Sequence, residues 1–118
     1  MSNLRRVGAE AEDRAAEFLL GLGYTIVTRR FKSSRGEIDI VAYDGDTLVF
    51  VEVKSRRSPG AVPEEGVDAK KAAHLSAAVA EYLHKTGAPD VPCRFDIIAV
   101  TPDDLRHHVA AFRPQTRS

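Results

Sequence analysis

The stretch Gly36-Glu37-Ile38-Asp39-Ile40-Val41-Ala42-Tyr43-Asp44-Gly45-Asp46-Thr47-Leu48-Val49-Phe50-Val51-Glu52-Val53-Lys54 decides the fold. Two β-favouring runs, Glu37–Tyr43 and Thr47–Lys54, flank Asp44-Gly45-Asp46, and an Asp-Gly pair between such runs signals a hairpin. The second run is almost continuously apolar, as in a strand covered on both faces. Glu52 and Lys54 interrupt it, and alternation puts both on the face of Leu48 and Phe50. In the first run alternation gives Ile38, Ile40 and Ala42 one face and Glu37, Asp39, Val41 and Tyr43 the other. A loop of two or four residues keeps Asp39 and Glu52 on one face, opposite or one diagonal step apart. A three-residue loop without a bulge separates them.

Two carboxylates side by side in a sheet repel each other, and desolvation adds to the cost unless a cation sits between them. Lys54 neutralises part of that charge and a divalent ion does so better. Oxygen ligands favour Mg²⁺ or Mn²⁺ over zinc. The alternative is a solvated, salt-bridged strand end, since ion pairs there are common.

Outward from the hairpin, residues 8–22 predict an amphipathic helix with Ala11, Ala15, Phe18, Leu19 and Leu22 at helical spacing, stopped at Gly21 and Gly23. A first strand is expected over Tyr24–Phe31, then a basic turn over Lys32–Gly36. Residues 55–66 hold Pro, Gly and charge without periodicity and predict a mobile loop. A second helix is expected over 68–86, with Asp68 as N-cap, Ala72, Leu75, Val79, Tyr82 and Leu83 as its stripe, and Gly87 as its stop. Cys93–Val100 reads as a fourth strand, Thr101–Asp104 as a turn and His107–Phe112 as a fifth strand, with a frayed tail over 113–118. The order α-β-β-β-α-β-β fits one sheet flanked by helices. On the helical wheels Glu12 and Lys71 border the apolar stripes and lean toward the sheet, while Glu10, Asp13 and Glu17 occupy the polar face.

The composition fits one domain over 1–118. The chain is 43% hydrophobic and 29% charged, with 17 Lys+Arg balancing 17 Asp+Glu. A single cysteine, Cys93, excludes an internal disulfide scaffold. No apolar run approaches the roughly 20 residues of a membrane helix, and Met1–Arg6 lacks the apolar segment of a secretory signal. The expectation is a cytoplasmic domain with no membrane partner. Zero net charge excludes a uniformly basic nucleic-acid binder, but it averages an acidic first helix with basic hairpin ends.

The strings Gly36-Glu37-Ile38-Asp39-Ile40-Val41 and Val49-Phe50-Val51-Glu52-Val53-Lys54-Ser55-Arg56 resemble the signature of the YraN family of predicted bacterial endonucleases. That family is similar to archaeal Holliday junction resolvases of the PD-(D/E)xK nuclease superfamily. Glu12-Asp13-Arg14-Ala15-Ala16, Gly23-Tyr24-Thr25-Ile26, Arg94-Phe95-Asp96 and Ala111-Phe112 extend the resemblance over about residues 8–112. It implies a restriction-endonuclease-like fold with a central mixed sheet. It also implies Mg²⁺-dependent hydrolysis of DNA, branched or damaged DNA included, and a homodimer as in resolvase-like relatives. By resemblance Asp39 and Glu52 are the metal-binding carboxylates, and the Val53 carbonyl beside Glu52 is expected to join them as a further ligand. Lys54 is the motif lysine, Glu12 the acid of the first helix and Lys71 the lysine of the second. Glu37, on the face of Asp39, is given no role by the resemblance and reads as a supporting residue behind the ligands or as a structural ion pair. Where the family commonly carries Arg-Asn-Phe, a basic residue and cysteine, this chain has Arg29-Arg30-Phe31-Lys32-Ser33.

Arg29, Arg30, Lys32 and Arg35 precede the second strand, and Arg56 and Arg57 follow the third. Opposing hairpin ends gather them into a phosphate track. The competing reading is a charged edge that discourages strand pairing. At the level of function, the competing reading is a binding module of the same fold, without turnover, that engages nucleic acid or a protein. His107 and His108 point to opposite faces, Cys93 reads as a small buried residue, and Asp96 as a structural partner of Arg94 or a helix cation.

Overall fold

The computed structural model describes residues 3–55, 69–88 and 90–112, with side chains over 9–55, 73–88 and 90–111. The expected loop over 55–66, apart from Ser55, and the expected tail over 113–118 lie outside the described residues, as do Arg56 and Arg57. The order is α1 (Asn3–Gly21), β1 (Thr25–Ser33), β2 (Gly36–Asp44), β3 (Thr47–Ser55), α2 (Ala69–Thr86), β4 (Cys93–Thr101) and β5 (Asp104–Phe112). The strands form one mixed sheet in the order β1-β2-β3-β4-β5. Only β3 and β4 run parallel, and α2 supplies the crossover between them.

Two-residue turns make all three hairpins: Ser34-Arg35, Gly45-Asp46 and Pro102-Asp103 lie between the terminal pairs Ser33↔Gly36, Asp44↔Thr47 and Thr101↔Asp104. Gly45 is the first central residue of its turn at φ 61°, which glycine adopts without steric cost. These short turns lengthen the expected strands: β1 runs on to Ser33, and β5 starts at Asp104 rather than His107. The first helix also begins earlier than the periodicity indicated, at Asn3, because the polar residues before Gly8 are compatible with helix although they extend no apolar stripe. It ends in a Schellman arrangement. Tyr24 N donates to Leu19 O at 3.0 Å and Gly23 N to Leu20 O at 3.0 Å, with Gly23 at φ 94°.

Each helix covers one face. Beneath α1, Ala11, Ala15, Ala16 and Leu19 pack on Tyr24, Ile40, Ala42, Val49, Val51, Ile98 and Val100. Beneath α2, Ala78, Val79 and Tyr82 pack on Ile38, Val41, Leu48, Phe50 and Phe95. Phe31 and Phe50 meet Tyr82 edge-on, with centroids 5.1 and 5.5 Å away. Cys93 belongs to this second cluster, half-buried, and burial raises its thiol above the ordinary value. No helix among the described residues is long and apolar enough to cross a membrane.

Candidate functional site

The hairpin at the centre of the sheet is forked. Its ladder runs from Asp44↔Thr47 to Ile40↔Val51 and stops. Beyond that point β2 stays with β1 as far as Gly36, and β3 stays with β4 as far as Ser55. Asp39 stands in the fork. Its Oδ2 accepts the Val53 N–H at 2.7 Å, in place of a main-chain carbonyl. The opening is a cleft of about 590 Å³ lined by Ala9, Glu12, Arg30, Lys32, Glu37, Asp39 and Val53.

The fork corrects one expectation from alternation. Ile38, Ile40 and Ala42 do not share a face: Ile38 packs beneath α2, whereas Ile40 and Ala42 pack beneath α1. Strict alternation fails at Asp39, where β2 leaves β3. On the other side of β2, the register pairs Arg29 with Ile40 and Phe31 with Ile38, which sets Arg30 opposite Asp39. Arg30 has φ 58°, a left-handed conformation unusual for a non-glycine residue in a strand.

The turn has the two-residue length that alternation required, but Asp39 and Glu52 each lie one residue past the last ladder pair, where the strands have parted and alternation has slipped. Burial pushes the Asp39 carboxyl up to about 6 from 3.8, and the charges of Glu12, Glu52 and Glu37 push in the same direction. The Val53 N–H opposes that shift without cancelling it. Glu52 is half-buried, with Oε1 shielded from solvent, and it acts on Asp39 through its charge without lining the cleft. Lys54, two residues further along β3, is half-buried and also stands outside the lining.

Glu12 leans into the sheet as its wheel position indicated and is 5% exposed. Its Oε1 accepts Arg29 Nη2 at 2.8 Å and Arg30 Nε at 2.9 Å, and Arg29 Nη2 also donates to Asp13 at 2.6 Å. The two arginines read as phosphate contacts thus have partners inside the chain. A buried carboxylate requires such cations, and α1 delivers Glu12 directly over β1. Lys32 and Glu37 are exposed at the cleft, while Arg35 sits in the β1–β2 turn, away from the lining. Lys71 lies on the first turn of α2, and its side chain is outside the described residues. Among the described residues no three His, Cys, Asp or Glu side chains gather closely enough to hold an ion by themselves.

Residues 11–100 match the model of the family described as uncharacterised protein family UPF0102. A UPF0102 protein of Symbiobacterium thermophilum is 46% identical over 99 residues, covering 83% of this chain and 84% of its own. One of Geobacter sulfurreducens is 48% identical over 96 residues, 80% and 75% of the two chains, and one of Persephonella marina 42% over 106 residues, 89% and 91%. The chain belongs to the UPF0102 family. This agrees with the YraN resemblance of the hairpin motifs.

The UPF0102 chain carries a second polar centre that the sequence reading only touched. Asp96, fully buried on β4, receives Arg94 Nε at 2.9 Å and the Ala110 N–H at 2.9 Å on Oδ1. Its Oδ2 meets His107 Nε2 at 2.7 Å and Arg94 Nη2 at 3.1 Å. Arg94 continues to Tyr24 Oη at 2.7 Å and Asp44 Oδ2 at 3.1 Å. Arg94 as the partner of Asp96 follows from their two-residue spacing in one strand. His107 does not, because a bulge between Phe95 and Ile97 shifts the β4–β5 register. Two anchors likewise lack a local signal. Arg14 Nη1 donates to Thr101 O at 2.6 Å, and Ser34 N and Oγ both donate to Glu81 Oε1, at 3.1 and 2.9 Å.

Proposed function

We propose that this UPF0102 chain is a metal-dependent endonuclease that hydrolyses DNA phosphodiester bonds in the cytoplasm, with branched and damaged DNA as the first substrates to test. The observation that carries the reading is Asp39: a half-buried acid in the fork of the central hairpin, raised by burial and three neighbouring carboxylates, beside the cationic Arg30 and Lys32. A site of surplus negative charge walled by cations suits an oxygen-bound divalent ion and an anionic ligand.

The Asp39 carboxylate, the Glu52 carboxylate and the Val53 carbonyl would hold Mg²⁺ or Mn²⁺, with solvent filling the remaining positions. When bound, such an ion supplies Lewis-acid polarisation of the phosphate and lowers the pKa of a bound water. The chain's own residues do the rest. The Val53 N–H fixes the orientation of Asp39, and Glu37 adds charge at the cleft. Lys54 orients the attacking water or stabilises charge growing on the phosphate. Glu12, neutralised by Arg29 and Arg30, fits a role behind the ligand shell better than one in it. Lys32 offers the incoming phosphate an exposed cation.

A second reading, a binding module of the same fold without turnover, is favoured by one observation. No three carboxylates among the described residues converge on a single point, as a metal cage built only of side chains requires. The test is a panel of branched, nicked and linear DNA with Mg²⁺ or Mn²⁺, run beside Asp39→Ala and Glu52→Ala. The nuclease reading expects cleavage by the wild type and at least a thousandfold loss, ~4 kcal/mol of transition-state stabilisation, in either variant. DNA binding without cleavage selects the module, and equal cleavage by Asp39→Ala removes the site.

A further inference from the structure

Arg29 and Arg30 are adjacent in sequence and both reach Glu12, yet their situations differ. Arg29 uses Nη2, the tip of its guanidinium, for both Glu12 and Asp13. Its side chain is 34% exposed, against 54% for Arg30. Arg30 touches Glu12 only through Nε, the inner edge of the group, at 2.9 Å. Among the described residues nothing accepts a hydrogen bond from its Nη1 or Nη2, and the residue lines the cleft opposite Asp39. An arginine held by Nε presents its outer nitrogens as a fixed pair of donors, the geometry that grips a phosphate through two oxygens.

Arg30 also holds this position in a backbone conformation that L side chains avoid, φ 58°. A residue with a Cβ persists there only when its surroundings over-determine it, and such residues concentrate at ligand sites. The Glu12 contact accounts for where the guanidinium sits. It does not require this residue to carry the charge, because Arg29 already pairs with the same oxygen.

We infer that Arg30 is the phosphodiester-orienting residue of the cleft, its guanidinium aimed by buried Glu12 so that Nη1 and Nη2 clamp a nucleic-acid backbone phosphate beside Asp39. The inference rests on the nucleic-acid reading of the same cleft. It divides the basic track: Arg30 is the specific contact, Arg29 is internal ballast for Glu12, and Lys32 adds charge without fixed geometry.

The test uses the full chain, a short fluorescent DNA duplex and EDTA, so that neither metal nor turnover enters. Arg30→Gly keeps the backbone conformation and removes the clamp. Arg30→Asn, which also tolerates left-handed backbone, guards against a folding defect in the first variant. Strain relief and the remaining Arg29 pair should hold the melting temperature of at least one variant within a few degrees of wild type. Its affinity for the duplex should fall about tenfold, with a salt dependence shallower by about one phosphate contact. Arg29→Gln should instead lower the melting temperature and leave the salt slope unchanged. Wild-type affinity and slope in both Arg30 variants would overturn the inference while leaving the nucleic-acid reading intact. A wild-type chain that binds no duplex at low salt overturns both.

Discussion

Asp39 and Asp96 are the same side chain on neighbouring parts of one sheet, treated in opposite ways. Asp96 is fully buried and surrounded by donors: Arg94, His107 and the Ala110 N–H occupy both oxygens. Burial pushes its carboxyl up, but the bonds from His107, Arg94 and Ala110 outweigh that and leave it below the ordinary value. Asp39 is less buried, yet one backbone N–H faces three carboxylates and the shift goes upward, to about 6. Burial alone therefore does not fix the direction in which a carboxyl shifts. The balance of partners does, and the fork is the place where the chain leaves that balance unmet.

The largest effect expected from this contrast is on stability. Asp96→Asn leaves Arg94, whose side chain is 13% exposed, with the more peripheral Asp44 as its only counter-ion among the described residues. A loss of about 3 kcal/mol or more is expected, read as a lower urea midpoint at an unchanged slope. Because the folded-state value of Asp96 is depressed, its contribution is present above the ordinary aspartate value and is lost as pH falls through the folded one. Wild type and variant should converge in acid.

Asp39→Asn should move the other way. At pH 7 the wild-type carboxylate is ionised against a folded-state preference for the proton, and asparagine can still accept the Val53 N–H. The variant should gain about 3 kcal/mol. With a folded value of about 6 against 3.8, wild-type stability falls as pH rises through that interval and stays lower above it. The gap between the two proteins should thus open across the interval with the variant the more stable, opposite in sign to the Asp96 pair. A destabilised Asp39→Asn at pH 7 would erase the contrast between the two centres.

Divalent metal gives the next smaller effect. If surplus charge at the fork is the basis of the site, millimolar Mg²⁺ or Mn²⁺ raises the wild-type melting temperature by a few degrees and leaves Asp39→Asn unmoved. Asp96→Asn, destabilised as it is, should keep the metal-induced rise. The shift should also weaken below about pH 6, where a proton competes for Asp39. A rise of equal size in Asp39→Asn would place the ion elsewhere.

The two centres were unequally legible in the sequence. The hairpin, its Asp-Gly turn and the apolar third strand are local signals, and local signals are what alternation and turn chemistry report. Glu12 was legible for a similar reason, since a charge bordering an apolar helical stripe has few places to go. The fork was not legible. It arises because β2 follows β1 while β3 follows β4, a competition between non-local pairings that no window of sequence contains. Arg29 and Arg30 read as phosphate contacts because the acid they neutralise lies 17 and 18 residues earlier, on another element. His107 reached Asp96 only through a bulge.

The bulge supplies the smallest effect and the sharpest control. The described chain holds two non-glycine residues at positive φ, Arg30 at 58° and Ala110 at 56°, and each adjoins one of the two aspartates. At Ala110 the cause lies in the structure: the β4–β5 register shifts there, and the turned N–H points at Asp96 Oδ1, 2.9 Å away. Glycine can donate the same bond without a Cβ to strain, so Ala110→Gly should stabilise the fold by about 1 kcal/mol and leave ligand binding alone. Removing the acceptor as well, in Asp96→Ala with Ala110→Gly, should show coupling beyond the sum of the single changes, because the strained conformation and the bond it makes are one device. At Arg30 the strained residue instead turns its side chain into a cleft, and glycine there should cost affinity for DNA rather than stability. Equal behaviour of the two glycine variants would mean that both strains serve the fold. Opposite behaviour separates strain that holds the sheet together from strain that aims a side chain at a ligand.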